Sequence, residues 1–332
     1  MAIYLDDQLD DEPLYGIVAR YVEATPQMSI RTVVHRLFGR EQVASCMGGG
    51  LDYVARETQA RWGLSPKQIA MTMSVFPYYA AISSVERGLL MLEKMCGLMP
   101  TRERRPRAMA TSMAGLLGHR YCKTCLRDDL QSNDPVHWRR SHQLPGVIFC
   151  AGHGEMLWEF PRPPRSYSKP HFGYVSPCVA TRLGAAPIRL HLTSLQKKSC
   201  QTVAQVSAEL LDGRLLVDSS RLATDLDNAM RNASRYFAGS RYEDCLDRLL
   251  IECFGDDYLK MCGFKIGDVS LRVSLWHYTC RPICIVIAIT LMRIVLEHPT
   301  LVADVRFSDL YEYLPQDKIQ QRRRNKLWLT LS

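Results

Sequence analysis

From Pro13 onward, apolar residues recur at three- and four-residue spacing between polar turns, the pattern of packed amphipathic helices. Leu14, Ile17, Val18 and Tyr21 share one face. Val33, Val34, Leu37 and Phe38 share another, between Ser29, a suitable N-cap, and Gly39, a suitable stop. Leu51 to Ser74 reads as a helix through Val54 to Ala60, a turn at Trp62-Gly63-Leu64, and a second helix capped by Ser65 with Pro66 at its first position. The small Ala60, the turn glycine Gly63 and the buried-type Ile69 suit helix-turn-helix packing. On that reading Lys67, Gln68 and Thr72 are its outward polar positions and candidate DNA contacts. Phe76, Pro77, Tyr78 and Tyr79 read as core aromatics, residues 83–99 as a further helix, and residues 109–117 as a short one.

The acidic first eleven residues read as a loose arm. Gly48-Gly49-Gly50 is a loop, and without a following Gly-Lys-Ser/Thr it is not a phosphate cradle. Arg102, Arg104, Arg105 and Arg107 form a charged connector able to meet phosphates. Residues 161–192 are rich in proline and polar side chains and predict a linker. Beyond it the pattern is helical again. Leu222, Leu226, Met230, Ala233 and Phe237 line one stripe, and Tyr242, Cys245, Leu246, Leu249, Leu250, Cys253 and Phe254 another that ends at Gly255. The cysteines of that stripe, and Cys280 and Cys284 near His277, read as core thiols rather than a second metal site. The run Gln320 to Lys326 is a basic tail.

The expected fold is therefore mainly α. An N-terminal helical, helix-turn-helix-like domain (12–118) leads to a central zinc-knuckle or ribbon module (119–160). The linker (161–192) follows, then a C-terminal helical domain (193–318) and the tail (319–332).

Composition changes this picture little. The chain has 332 residues, 47% of them hydrophobic and 23% charged, ordinary globular usage. The net charge of +8 permits nucleic-acid binding without demonstrating it. The acidic start lacks the apolar core of a signal peptide, and the run Ile283 to Met292 is shorter than a bilayer span. Twelve cysteines in such a chain are expected to be reduced, in a cytoplasmic protein that is not membrane-bound.

The stretch with specific chemistry is Tyr121 to Phe160. Cys122-x2-Cys125 is followed after 24 residues by Cys150-x2-His153. Two close pairs of soft donors on tight turns can converge on one tetrahedral ion, and Gly152 and Gly154 flank the histidine where such a turn needs a left-handed residue. These four residues predict one structural zinc ion. Four protein donors leave no position for a catalytic water, so Glu155, the nearest carboxylate, is not expected to serve a zinc hydrolase. The loop between the pairs carries Trp138, Arg139, Arg140 and His142, and the two arginines are candidate DNA contacts.

Several motifs together resemble the TniQ/TnsD family of transposon target-site selectors. They are Glu12-Pro-Leu-Tyr-Gly-Ile-Val-Ala-Arg20, the Gly63-Leu-Ser-Pro66 turn with Thr72, Phe76-Pro77, and the string Tyr121-Cys-x2-Cys125, Trp138, Gln143-Leu-Pro145, Cys150 and His153-Gly154. The resemblance covers residues 12–160 and continues weakly through 241–296. It implies a non-catalytic bacterial protein associated with the nucleoid. Such a protein binds target DNA, as TnsD-like members do, and recruits an AAA+ ATPase regulator and, through it, the transposase. The alternative it implies is a TniQ-type adaptor docking on an RNA-guided CRISPR effector complex.

Overall fold

The computed structural model describes residues 3–42, 44–97, 118–160, 174–232, 242–264 and 281–294. Among the described residues the architecture is mainly helical, with one small antiparallel sheet that joins the segment 119–160 to residues 186–187. The arginines at 102, 104, 105 and 107, the helix expected at 109–117, the residues His277 and Cys280, and the basic tail lie outside the described residues.

Helices α1 (Leu14–Ala24), α2 (Ile30–Phe38), α3 (Leu51–Glu57), α4 (Gln59–Trp62), α5 (Pro66–Met73), α6 (Phe76–Ala80) and α7 (Val85–Met95) form the N-terminal part. Their ends follow local chemistry. Ser29 caps α2 by accepting from the Thr32 amide at 3.1 Å, and Gly39 closes it in the left-handed region at φ 65°. The helix expected over 54–60 breaks at Thr58, whose hydroxyl donates to the Val54 carbonyl at 2.7 Å. Its second piece, α4, ends at Gly63 with φ 59°. Ser65 and Gln68 then cap each other reciprocally and start α5.

The first residues are not a loose arm. Ile3 and Leu5 are buried in the core. The Asp6 carbonyl accepts from Trp62 Nε1 at 3.2 Å, and Gln8 donates to the Thr72 carbonyl at 2.6 Å. The buried Glu12 carboxylate takes both prongs of Arg20, at 2.8 and 2.9 Å, and also the Leu9 amide. Acidity at the sequence level looked like a solvated tail, but the acids close back on cations of the folded body.

The sheet has the order β1 (His119–Tyr121), β2 (Trp158–Phe160), β3 (Ala186–Pro187), antiparallel throughout, with Tyr121 opposite Trp158 and Trp158 opposite Pro187. Within the stretch expected to be linker, residues 174–192 carry α9 (Pro177–Arg182) and β3, and the Val175 carbonyl accepts from the fully buried Trp138 indole at 2.6 Å. Helix α8 (Lys123–Gln131) starts at the first metal-module cysteine.

The C-terminal helices are α10 (Ser194–Leu211), α11 (Ser219–Asn232), α12 (Tyr242–Phe254), α13 (Asp256–Met261) and α14 (Pro282–Ile294). α10 lies at the centre, packed on α14, α12 and α6. The apolar run anticipated near 283 becomes α14, with Ile283 to Met292 all buried. No described helix is long and apolar enough to cross a membrane. Gly146 shows how close this packing is. It has φ +73°, its carbonyl accepts from Tyr258 Oη at 2.8 Å, and a Cβ there would collide with Ile283 Cδ1.

Candidate metal centre

Strand β1 delivers Cys122 to the N-cap of α8, and one helical turn carries Cys125 to the same side. The second pair sits on a tight turn. The Cys150 amide donates to the Glu155 carbonyl at 2.8 Å, and the Gly154 amide donates to the Cys150 carbonyl at 2.8 Å, with Gly154 left-handed at φ 64°. The Phe149–Met156 bridge closes the stem. His153 is thereby folded back, its amide 3.4 Å from Cys150 Sγ.

The four donor atoms lie within 4.8 Å of one another. His153 Nδ1 is 3.6 Å from Cys122 Sγ, 3.3 Å from Cys125 Sγ and 3.5 Å from Cys150 Sγ, and Cys125 and Cys150 Sγ are 3.7 Å apart. An ion with metal–sulfur bonds of about 2.3 Å and a metal–nitrogen bond of about 2.0 Å has tetrahedral edges of about 3.5 to 3.8 Å. The cluster has the size and donor set to hold one metal ion, and Nδ1 is the nitrogen it presents. Packed together without a cation, the sulfurs cannot all ionise. Hydrogen bonds from Cys122 and Cys125 hold the Cys150 thiol well below its usual range, while the contacts of Cys125 with Cys122 and Cys150 push its own thiol far above it.

The neighbours tie this turn to the rest of the chain. Gln201 on α10 donates to the Gly154 carbonyl at 2.8 Å. The Thr124 hydroxyl donates to the Glu155 carboxylate at 2.7 Å, and Lys123 Nζ lies 3.6 Å from the Trp158 ring centroid. The Gln143-Leu-Pro motif acts one layer below. Gln143 exchanges two hydrogen bonds with the Arg120 backbone, at 3.0 and 2.6 Å. The buried Arg120 guanidinium donates to the Leu144 carbonyl at 3.0 Å and to that of Val147. Burial pulls this guanidinium down to about 10.

The loop arginines expected to face DNA turn inward instead. Arg139 forks onto the buried Asp129 carboxylate at 2.5 and 3.2 Å. Arg140 is buried, 3.2 Å from Asp11 Oδ1, and it donates to the Met71 and Ser74 carbonyls at 3.2 and 3.0 Å. Its own amide donates to the Asp11 carbonyl at 2.7 Å, and the Ser141 amide to Asp11 Oδ2 at 3.0 Å. On α5, Lys67, Gln68 and Thr72 are half-buried. The Gln68 side chain is used in the cap, and the Thr72 hydroxyl donates to the Gln68 carbonyl at 2.9 Å.

His142 in the same loop is buried. Burial first, and the Arg139 charge second, pull its imidazole down to about 4, against a reference near 6.5. Between those values the unfolded chain holds a proton that the folded chain refuses. Its contribution is complete above about pH 6.5 and is lost as pH falls toward 4, by on the order of 3 kcal/mol. Thermal melts from pH 7 to 4.5 should show a steeper loss for the native chain than for His142→Asn, and parallel slopes would refute this assignment.

Two positions here escaped the sequence reading. Asp128 follows Cys125 at the same three-residue step, a Cys-x2-Cys-x2-Asp pattern. The long helix bearing Gln201 was announced by the Thr193-x2-Gln196 capping box.

A search of curated proteins finds no match to the chain. The TniQ family profile matches residues 6–157, from the docked N-terminal arm through the metal turn. Over that segment, which holds all four clustered donors, the chain is similar to the TniQ family.

Proposed function

We propose that this protein selects target sites for transposition and has no catalytic step of its own. In this reading it binds target DNA in the TnsD-like manner and recruits an AAA+ ATPase regulator, which brings the transposase, in the bacterial cytoplasm at the nucleoid. The observation that carries the reading is the TniQ match across residues 6–157. The ion is zinc, since three thiolates and an imidazole at tetrahedral spacing are its preferred donors, and with four protein donors it serves as a staple. The metal module joins the helices on either side into the surface offered to DNA and partner. Because Arg139 and Arg140 are spent internally, phosphate contacts fall to exposed cations and to the 102–107 connector.

The test is DNA footprinting with the full chain at two salt concentrations, with and without the cognate ATPase. The expected result is protection of a discrete site, with affinity falling steeply as salt rises and the ATPase retained on the complex. Protection seen only when an RNA-guided effector is added would replace direct DNA reading by the adaptor role.

A further inference from the structure

Three of the four clustered donors are buried cysteines on constrained backbone, whereas the His153 side chain is 31% exposed. What aims its ring is on the other face. Nε2 lies 3.0 Å from Asp128 Oδ2, and Asp128 stands one helical turn beyond Cys125 on α8. A helix that supplies one ligand from residue 125 thus supplies, three residues on, an acceptor for the far nitrogen of another.

We propose that Asp128 is a positioning residue of the metal centre, holding His153 with Nδ1 toward the three sulfurs. The inference rests on the reading of the cluster as a zinc site. An imidazole bound to metal through Nδ1 is neutral and must carry its proton on Nε2. A carboxylate accepting that proton fixes the tautomer, limits ring rotation and makes Nδ1 a better donor. A plain surface ion pair would contribute little and would need a doubly protonated ring. A ring with Nδ1 given to a metal has no second proton to offer. Asp128 is itself 47% exposed, so its removal opens no cavity and leaves no buried group unpaired.

The experiment compares the full chain with Asp128→Ala and Asp128→Asn, measuring the zinc dissociation constant by chelator competition at neutral pH and the absorption spectrum of the cobalt(II) form. The alanine variant should bind zinc about 10- to 100-fold more weakly. It should still give the tetrahedral thiolate spectrum when saturated. The asparagine variant keeps a carbonyl acceptor and should recover most of the loss. If Asp128→Ala does not fold, Asp128→Ser, whose hydroxyl is too short to reach, takes its place. Equal affinities for alanine and native chains would overturn the proposal, as would asparagine behaving like alanine, which would point to bare charge. Absence of stoichiometric zinc from the native chain would instead refute the metal reading beneath it.

Discussion

Removing the metal, by chelator or by Cys150→Ser, is expected to lower the thermal midpoint by on the order of 10 °C and to loosen the centre of the chain. An ion bound only by the folded state, at about 1,000 times its dissociation constant, adds about 4 kcal/mol. Domains of this size shift by about 2–4 °C per kcal/mol. The loss should not stay local. Cys122 begins α8, Cys150 sets the turn that ends at Gly154, and Gln201 ties that turn to α10, which packs on α14, α12 and α6. Hydrogen exchange should therefore quicken in 119–160 and at the N-terminal half of α10, with less change in α1 to α3. Metal analysis, melting and exchange on the same samples decide the matter. Full metal content and an unmoved midpoint in Cys150→Ser would remove that residue from the ligand set.

Arg140→Met is expected to cost about 3–5 kcal/mol, the second large effect. The guanidinium is buried and meets Asp11 and the carbonyls of Met71 and Ser74, so truncation strands an acid and two acceptors. The arm 3–12 loses its main tether to the metal loop and should become a site of limited proteolysis. Adding Asp11→Asn should restore part of the loss, because the stranded charge goes while an acceptor for the Ser141 amide and a residue tolerant of φ 57° remain. A phosphate-binding arginine would behave in the opposite way. Its loss would spare the denaturation midpoint and reduce the salt dependence of DNA affinity by about one contact. Denaturant melts of the single and double variants separate the two.

Much of the local structure was legible along the chain because its causes are local. The Ser29 and Ser65 caps, the Gly39 and Gly63 stops and the apolar stripe that became α12 are written within a few residues. The cluster of four donors was legible for the same reason. Each pair must sit on one tight turn, so a two-residue gap survives as a spacing, and only the meeting of the two turns is tertiary. The helix α10 was overlooked because its apolar positions, Cys200, Val203, Ala204, Val206, Leu210 and Leu211, are interrupted by buried Ser199 and Ser207, which dilute the stripe.

By itself, then, the order of residues determined the helical class, both ends of α2, the start of α5, the end of α12 and the four clustered donors, since each depends on backbone geometry over one or two turns. Only the folded chain decided where the charges point. Arg140 finds Asp11 from 129 positions away, Arg139 finds Asp129, and the acidic arm closes on Arg20 and Arg140. An ion pair is a contact in space with no period in sequence. A basic loop that reads as a DNA-facing surface can therefore be the inner clamp of the fold.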